Sequence, residues 1–386
     1  MKKVLIISPV ATHPPHRGNR QRILQIANLF KSSGYALELA VGSNRPITKD
    51  AREFWPIIHQ LQHNPGWKPS HRVAELDSWY TEGLGEELGE IVVDRKIDVV
   101  LLNYIFHSRA LEYLPKSVVT VIDTHDVFTN RHELYSGKRF AGGFFSCTTA
   151  DEATYLARAD VTLAITDEES QHFRAIQDTS SVFSLPFVMP ETKLTALKKE
   201  PKNGPLSLGM VLSANDLNLA SLADFIHQVD KRYGRKPPFK VHVAGGIDKL
   251  AYRCLPHRIP KFYRQWLRYH GEVADLDDFY QSMDAIVVPV IAGSGMAIKF
   301  AEAVSQGVPL ISTITGSRGH PSTQPFHRLP DNESVVEVLG HLSPVELLSL
   351  AAESKRCHEV LLSSSTVNWR EVTKFLYGRI TEAGSP

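Results

Sequence analysis

Short apolar runs recur along this chain. Each is followed by a polar loop and then by a stretch whose apolar residues fall three or four apart. In the first half the runs are Val4–Ile7, Tyr35–Val41, Asp98–Leu102, Val118–Ile122 and Val161–Ile165. In the second half they are Leu206–Leu212, Phe239–Ala244, Ala285–Val290 and Leu310–Thr313. Such runs suit strands buried on both faces of a parallel sheet. Between them, Ile23, Ile26, Ala27 and Phe30 mark one amphipathic helix, and residues from about Leu219 to Val229 mark another. Asp151–Arg158 and Leu276–Met283 read as shorter helices, and His270–Val273 as a short strand and turn. Met296–Gln306 reads as a helix with Met296, Phe300, Ala303 and Val304 on one face. Gly307 sits where a left-handed helix stop belongs, and Pro309 prevents continuation.

This alternation predicts an α/β protein with parallel sheets joined by right-handed crossovers. It occurs as two series. The Pro-containing segment Val182–Glu191 and the polar run Lys198–Pro205 separate them. The expected organisation is a first Rossmann-like domain over residues 1–187 and a second over 188–365, with a cleft between their sheets. A final helix in 366–386, with Val372, Phe375 and Leu376 on one face, is expected to pack back toward the first domain. Residues 44–90 break the pattern with four prolines and spread three tryptophans through it. They read either as a structural excursion with buried tryptophans or as an insertion shaping an acceptor surface. Residues 138–150, with Gly142-Gly143, suggest a mobile loop.

Composition narrows the class. The chain has 386 residues, a length natural for two domains, with 42% hydrophobic and 22% charged residues. A formal charge of +1 supplies no field to recruit nucleic acid. Cys147, Cys254 and Cys357 lie far apart without metal-ligand spacing, as expected of reduced, packed cysteines in a cytoplasmic protein. No run approaches the roughly 20 apolar residues of a membrane span. The apolar start after Lys2-Lys3 stops at Ser8-Pro9 and reads as a strand rather than a signal peptide.

In open parallel sheets, ligands bind beyond the carboxyl ends of the strands. Three strand ends carry candidate chemistry. After the first strand comes a loop, Ser8–Arg20, in which Arg17, Gly18, Asn19 and Arg20 suit an acceptor or an anion. Tyr104 follows another strand, and Asp123-Thr124-His125-Asp126 a third. His125 is placed to bond a sugar hydroxyl, and Asp126 to orient His125 or bind a hydroxyl itself. Near the end of the second series, Gly293-Ser294-Gly295 precedes a helix start, where backbone amides and the helix dipole favour phosphate. Lys299 and Glu302 form a polar stripe on that helix, so a nucleotide could place phosphate on the amides and ribose hydroxyls on Glu302. The plain alternative is an ordinary strand-to-helix turn with a solvated Lys/Glu pair. Gly-x-Gly alone is a weak motif.

Taken together and in order, these features resemble the GT-B fold of retaining glycosyltransferase family 4 (glycosyl transferases group 1). The resemblance runs from Lys3–Ile7, through Ser33-Gly34-Tyr35, Asp160–Glu169 and Leu185-Pro186, to Leu208–Val211 and Val243–Gly245. It is strongest from Gly271-Glu272-Val273 through Pro309. Residue by residue, Glu302 matches the second glutamate of the family's Glu-x7-Glu motif, which binds the donor ribose; Ser294 stands at the first. The family's Arg/Lys pair for the diphosphate has no counterpart after the strand ending at Leu212, where Ser213, Asn215 and Asn218 stand. Lys249, Lys299 and Arg318 are then the candidate cations, with the amides near Gly295 and Gly18. Gly293, Ser294, Gly295, Met296 and Asn215 would line the nucleotide, and Val273 the place where the base meets backbone atoms. His125 matches a histidine near the donor sugar.

The resemblance implies transfer of a sugar from a nucleotide-diphosphate sugar, UDP favoured over GDP, to a glycan or other hydroxyl acceptor. Retention is expected, with the leaving phosphate taking the acceptor proton, and with no metal and no cofactor. Cell-surface polysaccharide or glycoconjugate synthesis in the cytoplasm is the implied setting. A lipid-linked acceptor, with peripheral contact at the inner face of the membrane, stays open. Two other readings also stay open: a nucleotide-sugar epimerase or hydrolase of the same fold, and a non-catalytic nucleotide-sugar-binding protein. A dinucleotide oxidoreductase is disfavoured, because no complete Gly-x-Gly-x-x-Gly follows the first strand.

Overall fold

A computed structural model describes residues 1–15, 17–43, 46–63, 73–135, 145–189, 204–234, 236–254 and 265–383, without the side chains of 135, 252–254 and 383. The chain divides into two compact units. One comprises Met1–Glu133, Gly143–Phe187 and Ser363–Pro386; the other comprises Leu134–Gly142 and Val188–Leu362.

In the first unit the elements run β1 (Lys3–Ser8), α1 (Gly18–Ser32), β2 (Ala36–Val41), α2 (Lys49–Phe54), β3 (Ile57–Gln60), α3 (Leu84–Arg95), β4 (Val99–Asn103), β5 (Val119–Asp123), α4 (Thr149–Ala157), β6 (Val161–Ala164), α5 (Asp167–Ile176) and β7 (Ser181–Ser184). The seven strands are parallel and lie in the order β3-β2-β1-β4-β5-β6-β7. Side chains alternate across the sheet. Val4 and Ile6 of β1 face Ile23, Ile26 and Phe30 of α1. Leu5 and Ile7 face the opposite core with Leu84, Leu88 and Val92 of α3 and an aromatic group around Phe106, Phe128 and Phe145.

The second unit runs β8 (Leu206–Val211), α6 (Asp216–Tyr233), β9 (Phe239–Ala244), α7 (Ile247–Cys254), β10 (Leu267–Gly271), α8 (Leu276–Ser282), β11 (Ala285–Val288), α9 (Ile298–Ser305), β12 (Leu310–Ser312), α10 (Asn332–Leu339) and the start of α11 (Pro344–Ala383). Its five strands are also parallel, in the order β10-β9-β8-β11-β12. Leu208 and Met210 pack on one face with Leu222, Phe225 and Val229 of α6. On the other face, Ile286, Val288 and Leu310 pack with Phe300 and Val304 of α9.

Several expected boundaries move. Helix α1 begins at Gly18, so Gly18, Asn19 and Arg20 form a first helical turn instead of ending a loop. Arg17 is its extended N-terminal flank, and the amides of Arg20 and Gln21 already bond to the Arg17 carbonyl. Helix α9 begins at Ile298 rather than Met296. The reason is that Ala297 stays extended and its amide donates to the Arg318 carbonyl at 3.1 Å, outside the helix ladder. Gly307 takes the expected left-handed conformation at φ +59°. Helix α6 is longer than its apolar pattern, because the Asn215 side chain caps it and polar residues extend it to Tyr233.

In the 44–90 region, β3 joins the sheet, and Trp55 and Trp79 are buried. Trp67 lies outside the described residues. So do His16, most of the 138–150 loop, Pro190 and Glu191 of the expected hinge, and most of the Lys198–Pro205 run. Within that expected hinge, Val182–Ser184 belong to β7. No helix among the described residues is long and apolar enough to cross a membrane.

The terminal residues of α11 complete the first unit. Val372 and Leu376 are fully buried in the core that holds Ile23, Ile26 and Phe30. Trp369 meets the Phe30 ring edge-on at 4.9 Å and donates its indole N–H to the Ser33 hydroxyl at 2.9 Å. Arg379 pairs with Asp160 at 2.8 Å. Truncating a buried tryptophan removes packing and leaves a cavity. Trp369→Ala is therefore expected to lower unfolding free energy by about 3–5 kcal/mol, and Trp369→Phe by less. Urea unfolding followed by circular dichroism checks this; an unchanged midpoint for Trp369→Ala would show that the contact carries no stability.

Candidate functional site

Each sheet has one point where its strand order reverses direction, and that is where an open parallel sheet leaves a crevice. In the second unit this point lies between β8 and β11. The loop leaving β8 is short. Asn215 accepts the Asn218 amide on its Oδ1 at 2.8 Å and so starts α6. Asn218 in turn donates its side-chain amide to the Ser213 carbonyl at 2.8 Å and to the Ser213 hydroxyl at 3.0 Å. These bonds leave the Asn218 Oδ1 as an acceptor, and Lys299 Nζ of α9 donates to it. The loop leaving β11 is tied to the same helix, with the Ile291 amide donating to the Ser221 hydroxyl at 3.3 Å. One lysine thus joins the helices that follow the two strands flanking the reversal.

The electrostatics around Lys299 are uneven. The residue as a whole is half-buried. Desolvation of its ammonium group lowers its pKa to about 8, against the attraction of Glu302. Glu302, one turn on, accepts the Tyr280 hydroxyl at 3.1 Å. Burial, followed by the Glu302 charge, pushes the pKa of that hydroxyl well up, so Tyr280 remains a donor. The first turn of α9 has no side-chain cap and no acidic residue. Its positive end is left to the Gly293–Ala297 loop.

Arg318 lies beside this loop, with its guanidinium turned onto backbone. Nε donates to the Gly295 carbonyl at 2.7 Å, Nη2 to the Ser294 carbonyl at 2.7 Å, and Nη1 to the Thr315 carbonyl at 2.6 Å. Among the expected cations, Lys299 lies at the strand reversal, Arg318 holds the loop, and Lys249 is exposed on α7. Val273 packs against the core beside Phe279 and Met283, in the turn before α8. Met296 is buried under the loop.

In the first unit the reversal lies between β1 and β4. Asn103, the last residue of β4, donates its side-chain amide to the Ile7 carbonyl at 2.8 Å, which turns its Oδ1 toward His125. His125 Nε2 lies 2.9 Å from that oxygen and 3.2 Å from Asp123 Oδ2. Both partners are acceptors, so Nε2 carries the proton and Nδ1 is left as the acceptor. Burial lowers the His125 pKa to about 4; the Asp123 charge works against this and Arg22 adds to it. The imidazole is neutral at working pH.

Asp126 is expected from sequence to orient His125 or to bind a hydroxyl itself. The structure gives that place to Asn103 and Asp123, while Asp126 pairs with Arg131 at 2.7 Å. The physical reason is strand geometry. Asp123 is the last residue of β5, and its carboxylate is fixed by Arg22 of α1 at 2.9 Å, with both side chains almost wholly buried. The Arg22 guanidinium also donates to the Leu185 carbonyl at 2.7 Å.

Tyr104 stacks on the His125 ring at 4.1 Å, and Asn19 donates to the Tyr104 hydroxyl at 3.0 Å. Tyr104 and His125 both have positive φ, +72° and +63°. Two non-glycine residues in this strained region, side by side at strand ends, mark a candidate site. Arg20 is buried and donates to the Pro14 carbonyl at 2.9 Å, and Arg17 is exposed.

Sequence reading passed over Arg22 and Asn103, and it placed Asp123 in the strand-end cluster without giving it a role. A signal existed for two of them: Arg22 stands on the apolar stripe of α1, and Asp123 ends an apolar strand. A buried charge of each sign calls for a partner. A third polar group, His327, Glu353 and Cys357, gathers metal-ligating residue types around α11. There, Glu353 accepts from Arg356, Ser322 and the Thr323 amide, so the cluster ties α11 to the segment between β12 and α10.

Comparison with known proteins agrees with this layout. Residues 206–341 match the family model described as glycosyl transferases group 1. No curated protein matches the sequence. Among solved structures, the chain is similar to sucrose-phosphate synthase from Thermosynechococcus elongatus, with a TM-score of 0.73 at 13% identity over 98% of this chain and 100% of that one. It is also similar to HepE of Anabaena in complex with UDP and glucose, with a TM-score of 0.67 at 11% identity over 98% and 100%. The lipopolysaccharide outer core galactosyltransferase WaaB, in its apo form, aligns with a TM-score of 0.59 at 14% identity over 97% and 100%. The fold is GT-B, two Rossmann-like units. More narrowly, residues 206–341 of the second unit carry a glycosyl transferases group 1 domain.

The depressed pKa of Lys299 has a measurable consequence. Folding lowers it from 10.5 to about 8, so between those values the unfolded chain binds more protons than the native one. Stability contributed through this group rises with pH across that window. The difference in unfolding free energy between wild type and Lys299→Met should shift in favour of wild type as pH rises from about 8 to about 10.4. Parallel denaturant titrations at several pH values test this; a difference that does not change with pH would contradict the desolvated lysine.

Proposed function

We propose that this protein transfers a sugar from a nucleotide-diphosphate sugar, with UDP as the favoured nucleotide, to a hydroxyl of a glycan or lipid-linked glycan. The observation that carries this reading is the bond from Lys299 to Asn218 at the strand reversal, beside the uncapped start of α9, within the matched domain. Lys299 supplies positive charge there, and the amides of the loop supply donors for the diphosphate. Glu302 is the acceptor for the donor ribose. Its second partner, Tyr280, holds the carboxylate in place. HepE, similar in fold, has been solved with UDP and with UDP-glucose.

When the bond from the anomeric carbon to the diphosphate breaks, negative charge grows on the leaving oxygen. Preorganised donors that meet this charge lower the barrier. We assign that role to Lys299 and the loop amides, without a metal. Retention then follows from attack on the face the diphosphate leaves, with the phosphate oxygen taking the acceptor proton. His125, neutral and held through Nε2, offers Nδ1 to a sugar hydroxyl. Asp126, paired with Arg131, is the weaker catalytic candidate. Arg17, Asn19 and Tyr104 border the acceptor side. Synthesis of cell-surface polysaccharide or glycoconjugate in the cytoplasm, at the inner face of the membrane for a lipid-linked acceptor, is the setting this chemistry suits.

A thermal-shift screen against UDP-, GDP-, ADP- and dTDP-sugars tests the assignment, since a ligand that binds the native state raises its stability. A UDP-sugar is expected to give the largest rise. Glu302→Ala should weaken that donor by roughly 10- to 100-fold, the loss of a hydrogen bond to a charged group. Tyr280→Phe, which keeps the carboxylate, should retain most of the affinity. If no donor shifts the midpoint, the transferase reading is wrong. Free sugar released at full rate without any acceptor would favour a hydrolase instead.

A further inference from the structure

The guanidinium of Arg318 spends its three donor nitrogens on the carbonyls of Ser294, Gly295 and Thr315. Two residues on, His320 bonds through Nε2 to the Ala297 carbonyl at 2.9 Å and stacks on Phe300 at 4.3 Å. A carbonyl only accepts, so this Nε2 carries its proton. Between these two contacts, the Arg318 carbonyl accepts the Ala297 amide at 3.1 Å. The segment from Thr315 to His320 therefore grips the loop that opens α9 at successive peptide groups.

In a planar trans peptide the carbonyl and the next residue's N–H point in opposite directions. Drawing the carbonyls of Ser294 and Gly295 onto Arg318 turns the N–H groups of Gly295 and Met296 away from the guanidinium. Drawing the Ala297 carbonyl onto His320 does the same for Ile298. Adjacent N–H groups facing one side form a concave anion site. Gly293 makes the close approach possible, since a Cβ there would lie 3.0 Å from Arg318 Nη2.

We propose that Arg318, assisted by His320, is a positioning residue: it orients the loop that opens α9 so that the N–H groups of Gly295, Met296 and Ile298 receive the donor diphosphate, rather than contacting the diphosphate itself. This inference rests on the donor-site reading above. It reverses the role expected of Arg318 from sequence, where its charge alone made it a candidate phosphate ligand.

The two roles separate in the ligand-free protein. Amide hydrogen exchange over residues 293–299 is measured for the full chain as wild type, Arg318→Lys and Arg318→Ala, together with UDP binding by calorimetry. Loss of several charge-assisted bonds should speed exchange at Ala297, whose amide bonds to the Arg318 carbonyl, about tenfold or more in Arg318→Ala without ligand, and weaken UDP by a similar factor. Exchange in the strands of the same unit should be unchanged. Arg318→Lys, which keeps the charge but not the planar fork, should fall on the same side as the alanine variant. His320→Phe, which keeps the stack on Phe300 but loses the bond to the Ala297 carbonyl, should also speed exchange at Ala297.

If UDP weakens in Arg318→Ala while ligand-free exchange stays at the wild-type rate, Arg318 touches phosphate directly and the inference is overturned. Faster exchange with unchanged UDP affinity overturns it as well, because the loop is then not the diphosphate cradle. A wild-type chain that binds no UDP counts against the donor-site reading instead, and the ligand-free comparison still decides whether Arg318 holds the loop.

Discussion

A parallel strand covered on both faces gathers its polar groups where it ends, and one within it needs a partner, as buried Glu38 of β2 has in Arg95 and His59. The chemistry of both sheets follows from that constraint. The strands are Val-, Ile- and Leu-rich because helices cover both sides. Asn103, Asp123 and the Ser213–Asn218 segment stand at or just past the carboxyl ends of β4, β5 and β8. Where the strand order reverses, the connecting loops diverge, and the polar ends from neighbouring strands meet each other instead of a helix face.

The two units solve this in different ways. In the first, the ends are locked by a buried ion pair: Arg22 neutralises Asp123, and Asp123 with Asn103 holds a neutral His125 in one tautomer. Removing one member of such a pair leaves an uncompensated buried charge, so the network is costly to disturb. Positive φ at Tyr104 and His125 persists because stacking and hydrogen bonds over-determine both residues. In the second unit the ends stay open. Asn218 and Lys299 connect two helix starts through one bond, and backbone N–H groups remain the main polar resource beside them.

Arginine does structural work in both places. Arg22 and Arg318 each present a planar fork to oxygens fixed by the backbone or by a strand end, a task that a lysine does not perform in the same way. Lys299, by contrast, is a single point charge on a flexible stem, and burial lowers its pKa to about 8.

Much of the fold was legible in the linear pattern. Apolar runs alternating with helical periodicity determine parallel sheets, since that period and run length admit little else, and Gly307 with Pro309 announced the end of α9 by local sterics alone. The residue types at strand ends also pointed to His125 and the Gly293–Gly295 loop. What the sequence could not decide is which polar group faces which. Asp126 is next to His125 in the chain, yet Asp123 and Asn103 orient it, because the pairing of β4 with β5 brings Asn103 level with Asp123 at the strand ends beside the bend that carries His125. Lys299 and Arg318 looked alike as charges. Only the tertiary structure separated them, sending one to a side-chain oxygen of α6 and the other onto the carbonyls of the loop that opens α9, since hydrogen-bond partners are set by spatial registry that no local pattern encodes.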